Sequence, residues 1–324
     1  MHLEKNNKMD CFDNNVLVPL SKLEGFNYNI YFLKMYNIIY KEEERLLLNH
    51  NLDYGHPYRI NGLDALKDIY NIDYSILNAE DFASRDQIIP YITKAMKEGK
   101  QVAVTLDSYG CKWSHFYLDQ HMLHTILLLD YDEKTATFKS SDIYLNEDDI
   151  EITAENLLEY FSWLICFTTD KKTLELSKEA VSESFKNYIL NLSDKDIIEP
   201  LEAIYSSLKG YKYSAEDKEY YASPDKSYFI IRFIALSWSR YNFAEAMSFI
   251  DTLYTEPVFT NVIQRLTQLA SDWEKFKNLL VFLMTRAVPE NEYVFNGKII
   301  SKMETLITEE KSISENLFEI CKSL

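Results

Sequence analysis

The residues of this chain with the most chemical potential stand in "HMLHTILLLDYDEKTATFKSSD" (121–142), where two histidines precede one apolar run and an aspartate follows a second. The runs Ile126–Leu129 and Thr135–Phe138, split by Asp132, Glu133 and Lys134, carry the signal of a β-hairpin with a short loop. A loop of those three residues sets Tyr131 opposite Thr135, and therefore His124 opposite Asp142. Opposed residues on one sheet face hold their β-carbons about 4.5 to 5.5 Å apart. At that separation a carboxylate can fix an imidazole in one tautomer, the relation between a general base and its orienting group. Taken singly, His124 is an ordinary strand-end histidine and Asp142 a turn residue. The pair becomes chemistry only beside a nucleophile.

Cys11, in "MDCFDNNVLVPL", is the candidate. Asp10 is placed to cap a helical segment that begins near the cysteine and meets Pro19. A cysteine in a first turn faces unpaired backbone N–H groups and the positive end of the helix dipole, surroundings suited to a nucleophilic sulfur. Asp13 works against that. A lone cysteine near a helix start is nonetheless more often structural than catalytic. Two other histidines compete with His124 for the role of base. His121 lies three residues upstream, an odd step that points it to the other sheet face, and His115 sits in "YGCKWSHFYLDQ", a loop expected to roof the cleft. The three lack a carboxylate cluster at metal-ligand spacing, so no metal site is expected.

A thiol on an N-terminal helix, a histidine opening a strand roughly a hundred residues later, and a carboxylate on the next strand follow the chain order of the papain-like cysteine peptidases. "DCF", "VAVTLDSYG", the histidine run "HMLHTILLLDYDE" and "SSD" more closely resemble the peptidase-C39-like family typified by the N-terminal domain of the butirosin-biosynthesis acyltransferase. The resemblance covers roughly residues 8–170. It implies a papain-like fold in which Cys11 is the nucleophile, His124 the general base and Asp142 its orienter. It also implies an acyltransferase of nonribosomal peptide or other natural-product assembly that moves an acyl or peptidyl chain to a small amine or diamine. The chain arrives as a phosphopantetheinyl thioester on an acyl or peptidyl carrier protein, and the enzyme itself needs no cofactor. Papain-like enzymes carry a glutamine shortly before the cysteine. Here only Asn6 and Asn7 stand nearby, at the wrong distance or length, which leaves the Cys11 backbone N–H as the expected oxyanion donor. That departure weighs more against proteolysis than against acyl transfer, because a thioester is already activated. Two alternatives stay open: a C39-like cysteine peptidase, and a papain-like scaffold without catalysis whose helical domain binds a partner.

The elements that must position these residues lie in the first half, where all six histidines fall. Ser84 and Gln87 form a capping-box pattern for a helix that runs to about Glu98 and stops at Gly99. "KQVAVTLD" reads as a buried strand, the hairpin adds two, "DDIEITAENLLEYFSW" as a short helix, and "LICFTT" as a returning strand. This is α+β, an antiparallel sheet with segregated helices. Apolar residues then recur at helical spacing, so residues 1–172 are expected to form the catalytic domain and 173–324 an all-helical domain of roughly six helices.

A net charge of −17 argues against nucleic acid and suits a cationic small molecule, for which Asp107, Asp119 and Asp130 are candidate contacts in the cleft. No run approaches the roughly 18 apolar residues of a membrane helix, and the N-terminus lacks an apolar signal core, so a cytoplasmic protein is expected. The four cysteines, Cys11, Cys111, Cys166 and Cys321, show no paired spacing and are expected to be free thiols.

Overall fold

The computed structural model describes residues 4–42, 50–53, 56–168, 173–209, 228–285 and 297–324. In chain order the elements are α1 (Cys11–Leu20), α2 (Asn29–Phe32), β1 (Ile39–Glu42), β2 (His50–Asp53), α3 (His56–Tyr70), β3 (Asp73–Asn78), α4 (Ile88–Lys97), β4 (Gln101–Asp107) and β5 (Leu123–Asp132). There follow β6 (Thr137–Asp142), β7 (Glu147–Thr153), α5 (Ala154–Tyr160), β8 (Phe161–Thr168), α6 (Lys178–Asn191), α7 (Asp194–Leu208), α8 (Tyr228–Asp251), α9 (Thr260–Thr285) and α10 (Gly297–Ser323). The chain divides into two compact units, residues 1–28 with 66–176, and residues 29–65 with 177–324. The boundary expected at 172 falls outside the described residues. Nothing in the usage of residues 29–65 signalled that they cluster with the helical unit.

The first unit is α+β. Its six strands form one antiparallel sheet in the order β3-β8-β4-β5-β6-β7. Val102, Val104 and Leu106 of β4, Ile126 and Leu128 of β5, and Leu164 and Cys166 of β8 share one core cluster with Ile88, Ile92 and Ala95 of α4 and Leu157 of α5. The intervening residues Ala103, Thr105, Thr125, Leu127 and Ile165 are buried as well, so the central strands are covered on both faces. That is why these strands read as continuous apolar runs rather than alternating ones. Helix α1 packs on β5 and β6.

Several expected elements differ in detail. The segment 147–153 is a strand and not part of a helix, because Ile150 and Ile152 are buried while Asp149, Glu151 and Thr153 are exposed, a period of two. Helix α5 begins only after it, capped by Thr153, whose Oγ1 accepts from Asn156 N–H at 3.1 Å. Ser84 makes no side-chain cap; a short 3₁₀ turn over Arg85–Gln87 leads into α4, which ends at Lys97 with Glu98 as its cap, and Gly99 follows at φ +78°, where a glycine is favoured.

The hairpin differs most. Its loop is residues 133–136, one longer than expected, with Ala136 at φ +52°. Tyr131 therefore pairs with Phe138 and Asp132 with Thr137. A bulge between Leu128 and Asp130 then shifts the register, so that Leu128 pairs with Ser140 and Leu127 with Ser141. Asp142 is thus not opposite His124, as expected, but extends the register beside Ile126. The longer loop alone would have turned Asp142 to the other face. The bulge cancels it, and Asp142 and His124 become diagonal neighbours on one face.

In the second unit, β1 and β2 form a two-stranded antiparallel ribbon and the helices α6 to α10 supply most of the mass. At its centre Arg240 and Glu310, both without solvent exposure, form an ion pair at 2.8 Å.

Candidate active site

Asp10 lies in extended backbone and its Oδ1 accepts from Asp13 N–H at 2.9 Å, which starts α1 at Cys11. Asn14 holds the preceding turn against the helix. Its Nδ2 donates to Met9 O at 2.8 Å and to Asn6 O at 3.1 Å, and its Oδ1 accepts from Asn6 N–H at 2.8 Å. Phe12 points inward against Trp163, with ring centroids 5.7 Å apart. Cys11 is left half-buried at the helix start while Cys111, Cys166 and Cys321 are buried.

His124 sits near the first residue of β5, buried, and its Nε2 lies 2.5 Å from Asp142 Oδ2. Cys11 lies near enough to the same ring for its charge to act on it. A carboxylate only accepts, so Nε2 carries the proton of its bond to Asp142 and Nδ1 is the nitrogen outside it. The structure therefore brings Cys11, His124 and Asp142 together, although the register used to pair the last two is not the one that forms.

Asp142 is wholly buried, and each of its oxygens takes two donors. Oδ2 accepts from His124 and from Trp113 Nε1–H at 3.1 Å; Oδ1 accepts from Leu145 N–H at 3.2 Å and from Asn15 Nδ2 at 3.3 Å. Burial would raise its pKa, but the bond and charge of His124, then the Asn15 and Leu145 donors, outweigh it and hold the carboxyl below its ordinary value. Burial would likewise lower His124. The charge of Cys11 and the bond and charge of Asp142 win, and push the imidazole up to about 10. Burial pushes the other thiols up, Cys111 to about 12 with Asp142 and Asp107 adding to it, Cys166 to about 11 and Cys321 to about 12. They are held protonated and unreactive.

Three contributors escaped the sequence reading. Asn15 stands one turn after Cys11, an i, i+4 relation that was legible. Trp113 comes from the β4–β5 loop, where Gly110 packs so closely on Tyr160 that an added Cβ would lie 2.0 Å from its ring. Tyr144 follows Asp142, its ring 6.2 Å from that of His124 and capped by Lys5 Nζ at 4.2 Å. Burial, aided by the charges of Cys11, Asp10 and Asp142, pushes its hydroxyl up to about 12.

The competing residues lie apart from this set. His121 is exposed, with Nδ1 2.6 Å from Asp107 Oδ2 and its ring stacked on Tyr109 at 4.4 Å. Asp107 also accepts from Tyr109 N–H at 3.0 Å. His115 and Asp119 are exposed in the β4–β5 loop, and Asp130 is exposed toward the hairpin end of β5. The side chains of His2, His50 and His56 lie outside the described residues. Among the described residues no group of three or more His, Cys, Asp or Glu side chains could hold a metal ion, and no helix is long and apolar enough to cross a membrane. No protein-family model matches the chain, and no curated protein matches it in sequence.

Proposed function

We propose that this protein is a papain-like, cysteine-dependent amide synthase that transfers an acyl or peptidyl chain from a carrier-protein thioester, through an acyl-Cys11, to an amine or diamine. The observation that carries the reading is His124, held on one nitrogen by a buried, fully hydrogen-bonded Asp142, with the half-buried Cys11 near enough for its charge to act on the ring. With the proton resting on His124, the Cys11 sulfur attacks the thioester carbonyl as thiolate. The oxyanion forms against the Cys11 backbone N–H, one of the first-turn N–H groups for which a helix itself supplies no partner. The carbon–sulfur bond to pantetheine breaks, and the leaving thiolate takes the proton from His124. A neutral amine then attacks the acyl-cysteine while His124 removes its proton. The amide carbon–nitrogen bond forms, the bond to Cys11 breaks, and the thiolate and protonated imidazole are restored.

The acidic surface, with a net charge of −17, favours concentration of a protonated diamine near the protein, one of whose amines must lose its proton before attack. The test is product analysis with an acyl pantetheine thioester, 1,3-diaminopropane and the full chain. The reading expects the mono-amide, formed faster than hydrolysis and lost in Cys11→Ala. Hydrolysis without amide, cleavage of peptides in its place, or amide formation by Cys11→Ala would overturn it.

A further inference from the structure

Asn15 is completely buried, and its one side chain joins three elements. Nδ2 donates to Cys11 O at 2.9 Å within α1, to Thr125 O of β5 at 2.9 Å and to Asp142 Oδ1 of β6 at 3.3 Å, while Oδ1 accepts from Ile143 N–H at 2.9 Å. We propose that Asn15 is a positioning residue that sets the cysteine's helix against the two strands bearing His124 and Asp142, and that turns Asp142 so that Oδ2 faces the imidazole. The inference rests on the reading of Cys11, His124 and Asp142 as one reacting set.

The chemistry of the position selects a carboxamide. A donor and an acceptor are needed from one side chain, because it faces two carbonyls and a carboxylate on one side and the Ile143 N–H on the other. Leucine matches the volume but supplies neither. Aspartate keeps the acceptor for Ile143 N–H but turns a carboxylate toward Asp142 and two carbonyl oxygens, and paired carboxylates resist joint ionisation. The other ionisable groups around Asp142 are His124 on β5, Cys11 on α1, Cys111 after β4 and Tyr144 after β6. Trp113 and Leu145 donate to it as well. Loss of Asn15 thus leaves Asp142 anchored to His124 but loosened on its other side.

The experiment is the rate of Cys11 alkylation by iodoacetamide as a function of pH, on the full chain, for the wild type, Asn15→Ala, Asn15→Asp and His124→Ala, with folding followed by circular dichroism. Asn15→Ala is expected to lower the rate at neutral pH about tenfold, the scale of a hydrogen bond to a charged group, and to move the acid limb to higher pH, since Asp142 has lost a donor that favours its anion. Asn15→Asp, which is isosteric, moves that limb further, and decides the matter if Asn15→Ala does not fold. A folded variant with the wild-type rate and profile would overturn the inference. If His124→Ala leaves the profile unchanged, the thiol is not coupled to the ring and the reading of the reacting set falls with it. If His124→Ala changes the profile and the Asn15 variants do not, only the positioning role fails.

Discussion

His124 with Asp142 in the first unit, and Arg240 with Glu310 in the second, are both buried pairs of opposite charge, and they are finished differently. Glu310 takes Arg240 Nε at 2.8 Å and Trp273 Nε1–H at 2.9 Å on one oxygen, and Tyr36 O–H at 3.3 Å on the other. Arg240 Nη1 donates to Tyr36 O at 2.8 Å and to Ser239 Oγ at 3.1 Å, and its guanidinium stands over the Tyr36 ring at 4.5 Å. Burial, together with the charge of Glu310, raises the Tyr36 hydroxyl well above its ordinary value although Arg240 opposes it, so Tyr36 stays a donor. All of these partners are buried protein groups. In the first unit the carboxylate is saturated just as fully, but one imidazole nitrogen is left outside that bond, with the half-buried Cys11 nearby. A sealed pair serves architecture. A pair with one end turned toward a half-buried thiol is the one proposed here to serve chemistry.

Substitutions should separate the two. Cys11→Ala is expected to abolish turnover while leaving the unfolding midpoint close to that of the wild type; substantial residual amide formation would dissolve the contrast. His124→Ala should lower the rate of acylation by about 10²- to 10⁴-fold, the usual contribution of a general base, measured by single-turnover kinetics. Glu310→Ala should do the reverse. It strands a buried guanidinium and is expected to cost about 3 to 5 kcal/mol of stability by chemical denaturation, with the chemical rate of the folded fraction unchanged. Asp142→Asn is expected to be milder than His124→Ala yet to cost more than the lost charge. Its amide nitrogen must face donors, either Asn15 and Leu145 or Trp113 and His124, and Asp142→Ala should be slower still.

The smallest effect concerns pH. His124 is raised above its ordinary 6.5, so its contribution to stability is complete below that value and is lost as pH rises through about 10. Asp142 is lowered from 3.8, so its contribution is present above that value and is lost as pH falls. Denaturation profiles of His124→Ala should lack the alkaline loss. An identical alkaline limb in that variant would assign the loss to another group.

How far the chain could be read in advance follows from what each residue's signal depends on. Cys11 at a helix start was legible because Asp10 caps locally, and β4 because "VAVTL" is a continuous apolar run. β7 was missed because "AENLLEY" directly after it carries a helical pattern, which drew the alternation of Ile150 and Ile152 into a longer helix. His124 and Asp142 were expected directly opposite each other, and they meet only as diagonal neighbours on one face. The loop is one residue longer and begins one residue later, and the bulge at Leu129 then restores the shared face without restoring the opposition; none of these has a local sequence signal strong enough to count. Trp113 and Tyr144 enter from loops, whose paths depend on tertiary packing that spacing does not encode. The membership of residues 29–65 in the helical unit is a property of long-range contacts and left no mark in composition.

The central claim is that Cys11, and no other cysteine, carries the acyl group. Intact mass and peptide mapping after the full chain meets an acyl pantetheine thioester, with amine withheld, test it most directly. A single acyl adduct on Cys11, accumulating in the wild type, slow in His124→Ala and cleared on adding diamine, is the expected result. No adduct at all, or one that maps to Cys111, Cys166 or Cys321, would contradict it.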